Sequence, residues 1–244
     1  MKGYTITDVG KVRSENQDCV RFLQSSAPSY AVLVLCDGMG GAKAGKVASE
    51  IALSTFTAEI SGYLSDKKRK ESLESAARLA VTEANDRVYG RAVTDKDCEG
   101  MGTTLVAAIV KGKQSCIVNV GDSRAYLVSE GTITQITRDH SFVEEMVGKG
   151  ALTREQARNH PRKNIITRAM GVDKIVVCDT FTPEFKKNDL LLLCTDGLSN
   201  TLSDAEILEI AKSKKDLSEM GKELLDLALS RGAPDNVTVG LLRK

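Results

Sequence analysis

Little in this sequence is present in excess, and several absences narrow what it can be. Charge is balanced, 34 basic against 33 acidic residues for a net of +1, so bulk charge points to neither nucleic acid nor a membrane surface. The longest apolar runs, Ala31–Cys36 and Leu105–Val110, are strand-sized and fall far short of the roughly 18 residues of a membrane span. Residues 1–10 lack the basic-then-apolar pattern of a secretion signal, and a cytoplasmic location is expected. The six cysteines (19, 36, 98, 116, 178, 194) form no CxxC pair and no zinc-like spacing with His140 or His160. They are expected to be reduced thiols acting as small hydrophobes. Internal repeats, low-complexity tracts and Pro- or Ser-rich linkers are also missing, which argues for one domain over 1–244.

What is present reads as strands and helices in blocks. Ala31–Cys36 is a buried strand running into the turn Asp37-Gly38. Positions 47, 48, 51, 52, 55 and 56, apolar except for Thr55, share one helix face. A second helix fits Leu73, Ala76, Ala77, Ala80, Ala84 and Val88, with Gly90 just beyond its end. Strands follow at Thr104–Val110, Ser115–Val120, Ala125–Ser129 and Thr132–Thr137, separated by glycine turns. Thr153 to Gln156 and Ser203 to Glu206 have capping-box spacing. Asp189–Cys194 is another buried strand, a helix covers about Asp216 to Ser230, and Val237–Leu242 closes the sheet. Strands clustered in meanders, with helices before and after, predict an α+β sandwich rather than alternating βαβ units.

Chemistry concentrates where acids sit in tight turns at strand ends: Asp37-Gly38-Met39-Gly40-Gly41, Thr195-Asp196-Gly197-Leu198, Pro234-Asp235-Asn236 and Gly121-Asp122-Ser123-Arg124. Asp18 closes a fifth such segment, Arg13-Ser14-Glu15-Asn16-Gln17-Asp18. One Asp-Gly is most often only a turn. Several together, with glycines that let backbone approach closely, suit hard cations seeking oxygen ligands, Mg²⁺ or Mn²⁺ rather than zinc.

These segments, with Met101-Gly102-Thr103-Thr104, Asp139-His140-Ser141 and Ile166-Thr167-Arg168-Ala169-Met170-Gly171, resemble in order the motif series of the PPM (type 2C) phosphatases. The Asp-Gly-Met-Gly-Gly form resembles the bacterial branch that opposes Hanks-type kinases. The resemblance implies an antiparallel β-sandwich flanked by helices, α-β-β-α in layers, with a mobile flap at about 141–165. It implies a metal-dependent serine/threonine phosphoprotein phosphatase in which a metal-activated water attacks phosphorus directly. In that mapping Asp37 bridges two ions, one of which also takes the Gly38 carbonyl, while Asp196 and Asp235 complete the second side. Asp18 supports the centre through water, and Asp122 shares a third, weaker ion with Asp196. Arg13 would clamp the phosphate, its planar guanidinium matching two oxygens. Phosphoserine and phosphothreonine proteins, a cognate Ser/Thr kinase among them, are the implied partners, and a monomer is expected. A catalytically silent phosphoprotein-binding module is the alternative, and a sporulation-type relative is a third reading.

Departures are visible too. Many bacterial relatives carry His after Asp-Gly-Met-Gly-Gly and an acid four residues later; here those positions are Ala42 and Lys46. A histidine general acid is therefore missing from this loop, and Lys43 and Lys46 are either field-setting cations or solvated helix-opening lysines. Gly40-x-x-x-x-Gly45-Lys46 approaches a P-loop, but Val47 stands where a Ser or Thr hydroxyl is required. No cysteine is followed six residues on by arginine, which removes a cysteine-nucleophile phosphatase, and Asp95-Lys96-Asp97 lacks the context of an aspartyl-nucleophile loop. His140 is expected to make a structural hydrogen bond and His160 to lie on the flap surface. With only nine residues after Asp235, no further regulatory domain is expected.

Overall fold

Ala31, Leu33 and Leu35 are buried in one apolar layer, Val32, Val34 and Cys36 in another. A strand covered on both faces reads as a continuous apolar run instead of an alternating one. The computed structural model describes residues 1–27, 29–41, 44–66, 68–214 and 216–244. Its strands are β1 (Lys2–Asp8), β2 (Asp18–Ser26), β3 (Ser29–Met39), β4 (Gly102–Thr103), β5 (Leu105–Lys111), β6 (Gln114–Val120), β7 (Arg124–Ser129), β8 (Thr132–Gln135), β9 (Asp179–Phe181), β10 (Leu190–Cys194) and β11 (Val237–Arg243). The α-helices are α1 (Ala44–Ser65), α2 (Leu73–Thr94), α3 (Phe142–Gly148), α4 (Arg154–Arg158), α5 (Asp196–Ser199), α6 (Asp204–Ser213) and α7 (Leu217–Ser230).

Two antiparallel sheets result, one in the order β1-β11-β10-β7-β8 and the other β2-β3-β5-β6-β9, with β4 paired to β3. Three apolar layers hold them. Leu33, Leu35, Val106, Ala108, Leu191 and Leu193 fill the space between the sheets. Phe56, Ile60, Ala77 and Val81 of α1 and α2 cover the outer face of the second sheet. Leu198, Ile207, Met220 and Leu224 of α5, α6 and α7 cover the first. The layering is α-β-β-α, as the sequence led us to expect.

Boundaries differ in instructive places. Helix α2 runs four residues past Gly90, because Ala92 still buries against the core and a side chain at 90 would meet nothing. The α1 helix extends from 44 to 65, well beyond the stripe read from sequence. Asp189 precedes its strand: its carboxylate accepts from Ser129 Oγ at 2.7 Å and from the Lys186 amide at 2.7 Å. Both predicted capping boxes are formed, at α4 and α6. All six cysteines are free, five of them buried and Cys19 half-buried. No helix among the described residues is long and apolar enough to cross a membrane.

The segment 141–165 leaves and rejoins the body at one point. Ser141 bridges Ile166, and the Phe142 amide donates to Ile165 O at 2.9 Å. Within it, Glu144 takes Arg138 at 3.2 Å and Arg154 at 3.3 Å, and the Arg162 guanidinium lies 3.7 Å over the Phe142 ring.

Candidate metal centre

Five aspartates reach one end of the sandwich because five strand ends do. Asp18 opens β2 and Asp37 lies near the end of β3, and the two are direct cross-strand partners. Directly opposed carboxylates repel, so this pairing needs a cation or a proton. Asp196 begins α5 just after β10, Asp235 precedes β11, and β10 pairs with β11. Asp122 occupies the turn between β6 and β7.

Hydroxyls and amides fix these groups from behind. Thr195 Oγ1 donates to Asp18 Oδ2 at 2.9 Å and Thr238 Oγ1 donates to the same oxygen at 2.6 Å, so one carboxylate of the second sheet ties together two strands of the first. Asp37 is held by its backbone: its N–H donates to Thr104 Oγ1 at 3.0 Å and its carbonyl accepts from Thr103 Oγ1 at 2.9 Å. Asn236 receives the Gln17 amide at 2.9 Å and donates to Val9 O and Glu15 O, anchoring the loop that carries Arg13. Glycine is required at 38 and 197, where a Cβ would stand 2.0 Å from Gly45 O and 2.0 Å from Asn236 O. Gly45 of the near P-loop thus lets α1 touch β3 at Gly38, while Gly40 packs on Met101.

Electrostatically the cluster is only partly compensated, by Arg13 on Asp235 and Asn200 on Asp196. Asp18 Oδ1 and Asp122 Oδ1 are buried with no hydrogen-bond partner. Burial, with the neighbouring carboxylates adding to it, pushes Asp18 up to about 7, Asp122 to about 8 and Asp196 to about 6. Asp37 is driven well above the carboxylate range by burial and then by Asp18, Asp196, Asp122 and Asp235. Buried oxygens without donors, in a cluster of like charge, fit hard divalent cations. Among the described residues no three His, Cys, Asp or Glu side chains form a ready-made cage, so carbonyl oxygen and water would have to complete each shell, as Mg²⁺-type sites commonly allow.

Arg13 sits over the cluster and is engaged with Asp235, Nη2 to Oδ2 at 2.8 Å. Asp196 and Asp37 also act on its charge. A cleft of about 590 Å³ opens beside the aspartates, lined by Asp122 and Asp196, by Arg154 and Arg158 of the 141–165 segment, and by Asn200 and Asp204 opposite. Asn200 Nδ2 donates to Asp196 Oδ2 at 3.0 Å. Lys46 is exposed in the first turn of α1, while Ala42 and Lys43 lie outside the described residues. His140 is buried in a hydrogen-bond network, as expected. His160 is half-buried rather than on the surface, its ring centroid 5.9 Å from that of Phe142.

Sequence reasoning missed Thr7, Thr238 and the paired role of Thr195. The signal was a threonine between Val237 and Val239, a polar residue in a strand otherwise apolar, which marks a buried hydroxyl with a partner.

Residues 11–235 match the family model described as Protein phosphatase 2C. The chain is 42% identical over 241 residues to the serine/threonine phosphatase stp of Listeria welshimeri, covering 98% of this chain and 94% of that protein. The crystal structure of serine/threonine phosphatase Stp1 from Staphylococcus aureus superposes with a TM-score of 0.91 at 38% identity, covering 100% of this chain and 94% of that one. The catalytic domain of the serine/threonine protein phosphatase PstP, solved in complex with two manganese ions, gives 0.84 at 35% identity, covering 98% and 96%.

Proposed function

We propose, for a chain that belongs to the protein phosphatase 2C family and is a metal-dependent serine/threonine phosphatase, that Asp37, Asp196 and Asp235 are the carboxylates that hold its ions. The observation that carries this is the cluster of like-charged carboxylates from both sheets, buried at Asp18 and Asp122 and half-buried at Asp37, Asp196 and Asp235, with orphaned oxygens on the two buried ones. The Gly38 carbonyl adds a neutral oxygen, Asp18 supports the centre from its hydroxyl-bound position, and Asp122 with Asp196 offers a third, weaker site. Oxygen donors of this kind accept Mn²⁺ and Mg²⁺ alike. When bound, a pair of such ions supplies the Lewis acidity that lowers the pKa of a water and offsets charge on the phosphoryl oxygens.

The chain's own residues do the rest. Arg13 uses one N–H on Asp235 and keeps its other donors for the phosphate of the substrate. Thr103, Thr104, Thr195 and Thr238 keep the carboxylates from relaxing apart. Neither histidine faces the cluster: His140 is turned into Asp179 and His160 onto Phe142, so an imidazole does not protonate the leaving serine or threonine oxygen. The segment 141–165 would act as a flap beside the cleft of a single catalytic domain. Phosphoserine and phosphothreonine proteins are the substrates, and the Asp-Gly-Met-Gly-Gly form supports a cognate Ser/Thr kinase among them. We place the protein in the cytoplasm, a reading supported by its free cysteines, and expect it to act as a monomer.

Arg13 supplies the test. At saturating Mn²⁺, Arg13→Ala should lower kcat/KM on a phosphothreonine peptide by about 10- to 100-fold, the worth of a charge-assisted hydrogen bond. Unchanged kcat/KM would remove Arg13 from phosphate binding. A folded wild type that turns over no phosphopeptide with Mn²⁺ or Mg²⁺ would leave a phosphoprotein-binding module.

A further inference from the structure

His140 is 7% exposed and has a partner on each side of its ring. On one side it is bonded twice to Gly121: the Gly121 N–H donates to Nδ1 at 3.0 Å, and the His140 N–H donates to Gly121 O at 3.0 Å. Gly121 sits at φ +106, where a Cβ would stand 2.5 Å from Thr104 Cγ2, and it directly precedes Asp122. Because Nδ1 accepts, the ring proton is on Nε2. That N–H faces Asp179 Oδ2 at 3.2 Å; Arg168 Nη1 also stands 3.0 Å from Nε2, but with the proton there it donates instead to Asp179 Oδ1 and Val177 O at 3.0 Å each. The His140 carbonyl accepts from Thr167 at 2.8 Å, so the residue stands where both stems of the 141–165 segment meet. Burial lowers the pKa of the imidazole; the hydrogen bond to Asp179 opposes this in part and Arg168 adds to it, with a net lowering that keeps Nδ1 unprotonated.

We propose that His140 is a positioning residue for the Asp122 side of the metal centre: Nδ1 fixes the Gly121–Asp122 peptide, while Nε2, through Asp179 and Arg168, ties that peptide to the stems of the flap. The proposal rests on the reading of Asp122 as an ion ligand. It follows the rule that residues oriented by an outer partner lose metal affinity when that partner is removed, commonly 10- to 100-fold.

Two substitutions divide the ring's functions. His140→Asn places an amide oxygen near the Nδ1 position and drops Asp179, whereas His140→Gln reaches Asp179 and drops Gly121. Mn²⁺ binding is followed by calorimetry, beside thermal melting and kcat and KM on a phosphothreonine peptide. His140→Asn is expected to bind the weakest Mn²⁺ within about twofold of wild type, and His140→Gln at least about tenfold more weakly, with tighter sites unchanged and similar melting temperatures. Equal losses in both variants, or none in either, would overturn the positioning role. Asp122→Asn is the control for the underlying reading: if it leaves Mn²⁺ binding untouched, the ion-ligand role of Asp122 fails and the proposal with it.

Discussion

Burial and four neighbouring aspartates all disfavour the ionised form of Asp37, and no side-chain hydrogen bond among the described residues offsets them. Facing Asp18 across β2 and β3, it is stable as an anion only when a cation shares it. Asp37→Asn should therefore stabilise the metal-free protein by about 1 kcal/mol, the low end for an unpartnered polar group, because the residue is half-buried. At this chain length each kcal/mol moves the melting temperature by about 2–4 °C, so scanning fluorimetry in EDTA resolves the gain. The same variant should lose the Mn²⁺-dependent rise, and a lower melting point than wild type in EDTA would contradict this account. His140 sets a pH dependence of opposite origin. Its folded pKa lies below the ordinary 6.5, so as pH falls from about 6.5 the unfolded chain takes a proton that the folded chain refuses. Stability from this group is full above that pH and declines below it, and the slope should shrink in His140→Asn when melts at pH 7.5 and 5.5 are compared. At this scale the aspartates were legible because acid-glycine turns at strand ends are a local pattern. The threonines that hold Asp18 were not, since Thr195 and Thr238 lie 177 and 220 residues away and meet it only through sheet register.

Elements were legible where burial is extreme. The strands β3, β5, β6 and β10 are covered on both faces and stood out as apolar runs. By contrast β1 and β2 are half-buried edge strands with mixed patterns, and neither was read. Gly90 was misread as a stop because intrinsic propensity, about 1 kcal/mol, is overridden by packing on both sides of it. The close approach of β3 to α1 makes a sharper prediction. Gly38→Ala must push Gly45 O, 2.0 Å from the new Cβ, and should cost both fold stability and Mn²⁺ affinity, read by melting with and without the ion. The α6 cap is a purely structural counterpart: Ser203→Ala should cost about 1 kcal/mol and leave Mn²⁺ affinity alone.

For the whole molecule, the proposed metal centre is also the joint between the sheets. Asp18 from one and Asp196 and Asp235 from the other meet at one end of the shared core, so ion binding and sheet packing are linked. Mn²⁺ at a thousandfold its Kd should add about 4 kcal/mol of stability. Balanced charge conceals this polarity in the sequence, because a net of +1 averages a concentrated acidic site over an otherwise mixed surface. The most direct measurement is hydrolysis of a phosphothreonine peptide by wild type and Asp196→Asn, each in EDTA and with added Mn²⁺. The account predicts turnover by wild type only with the ion, and a loss of at least about a hundredfold in the variant, the scale of removing one electrostatic partner of a transition state. Equal turnover in EDTA, or an unaffected Asp196→Asn, would contradict the metal centre itself.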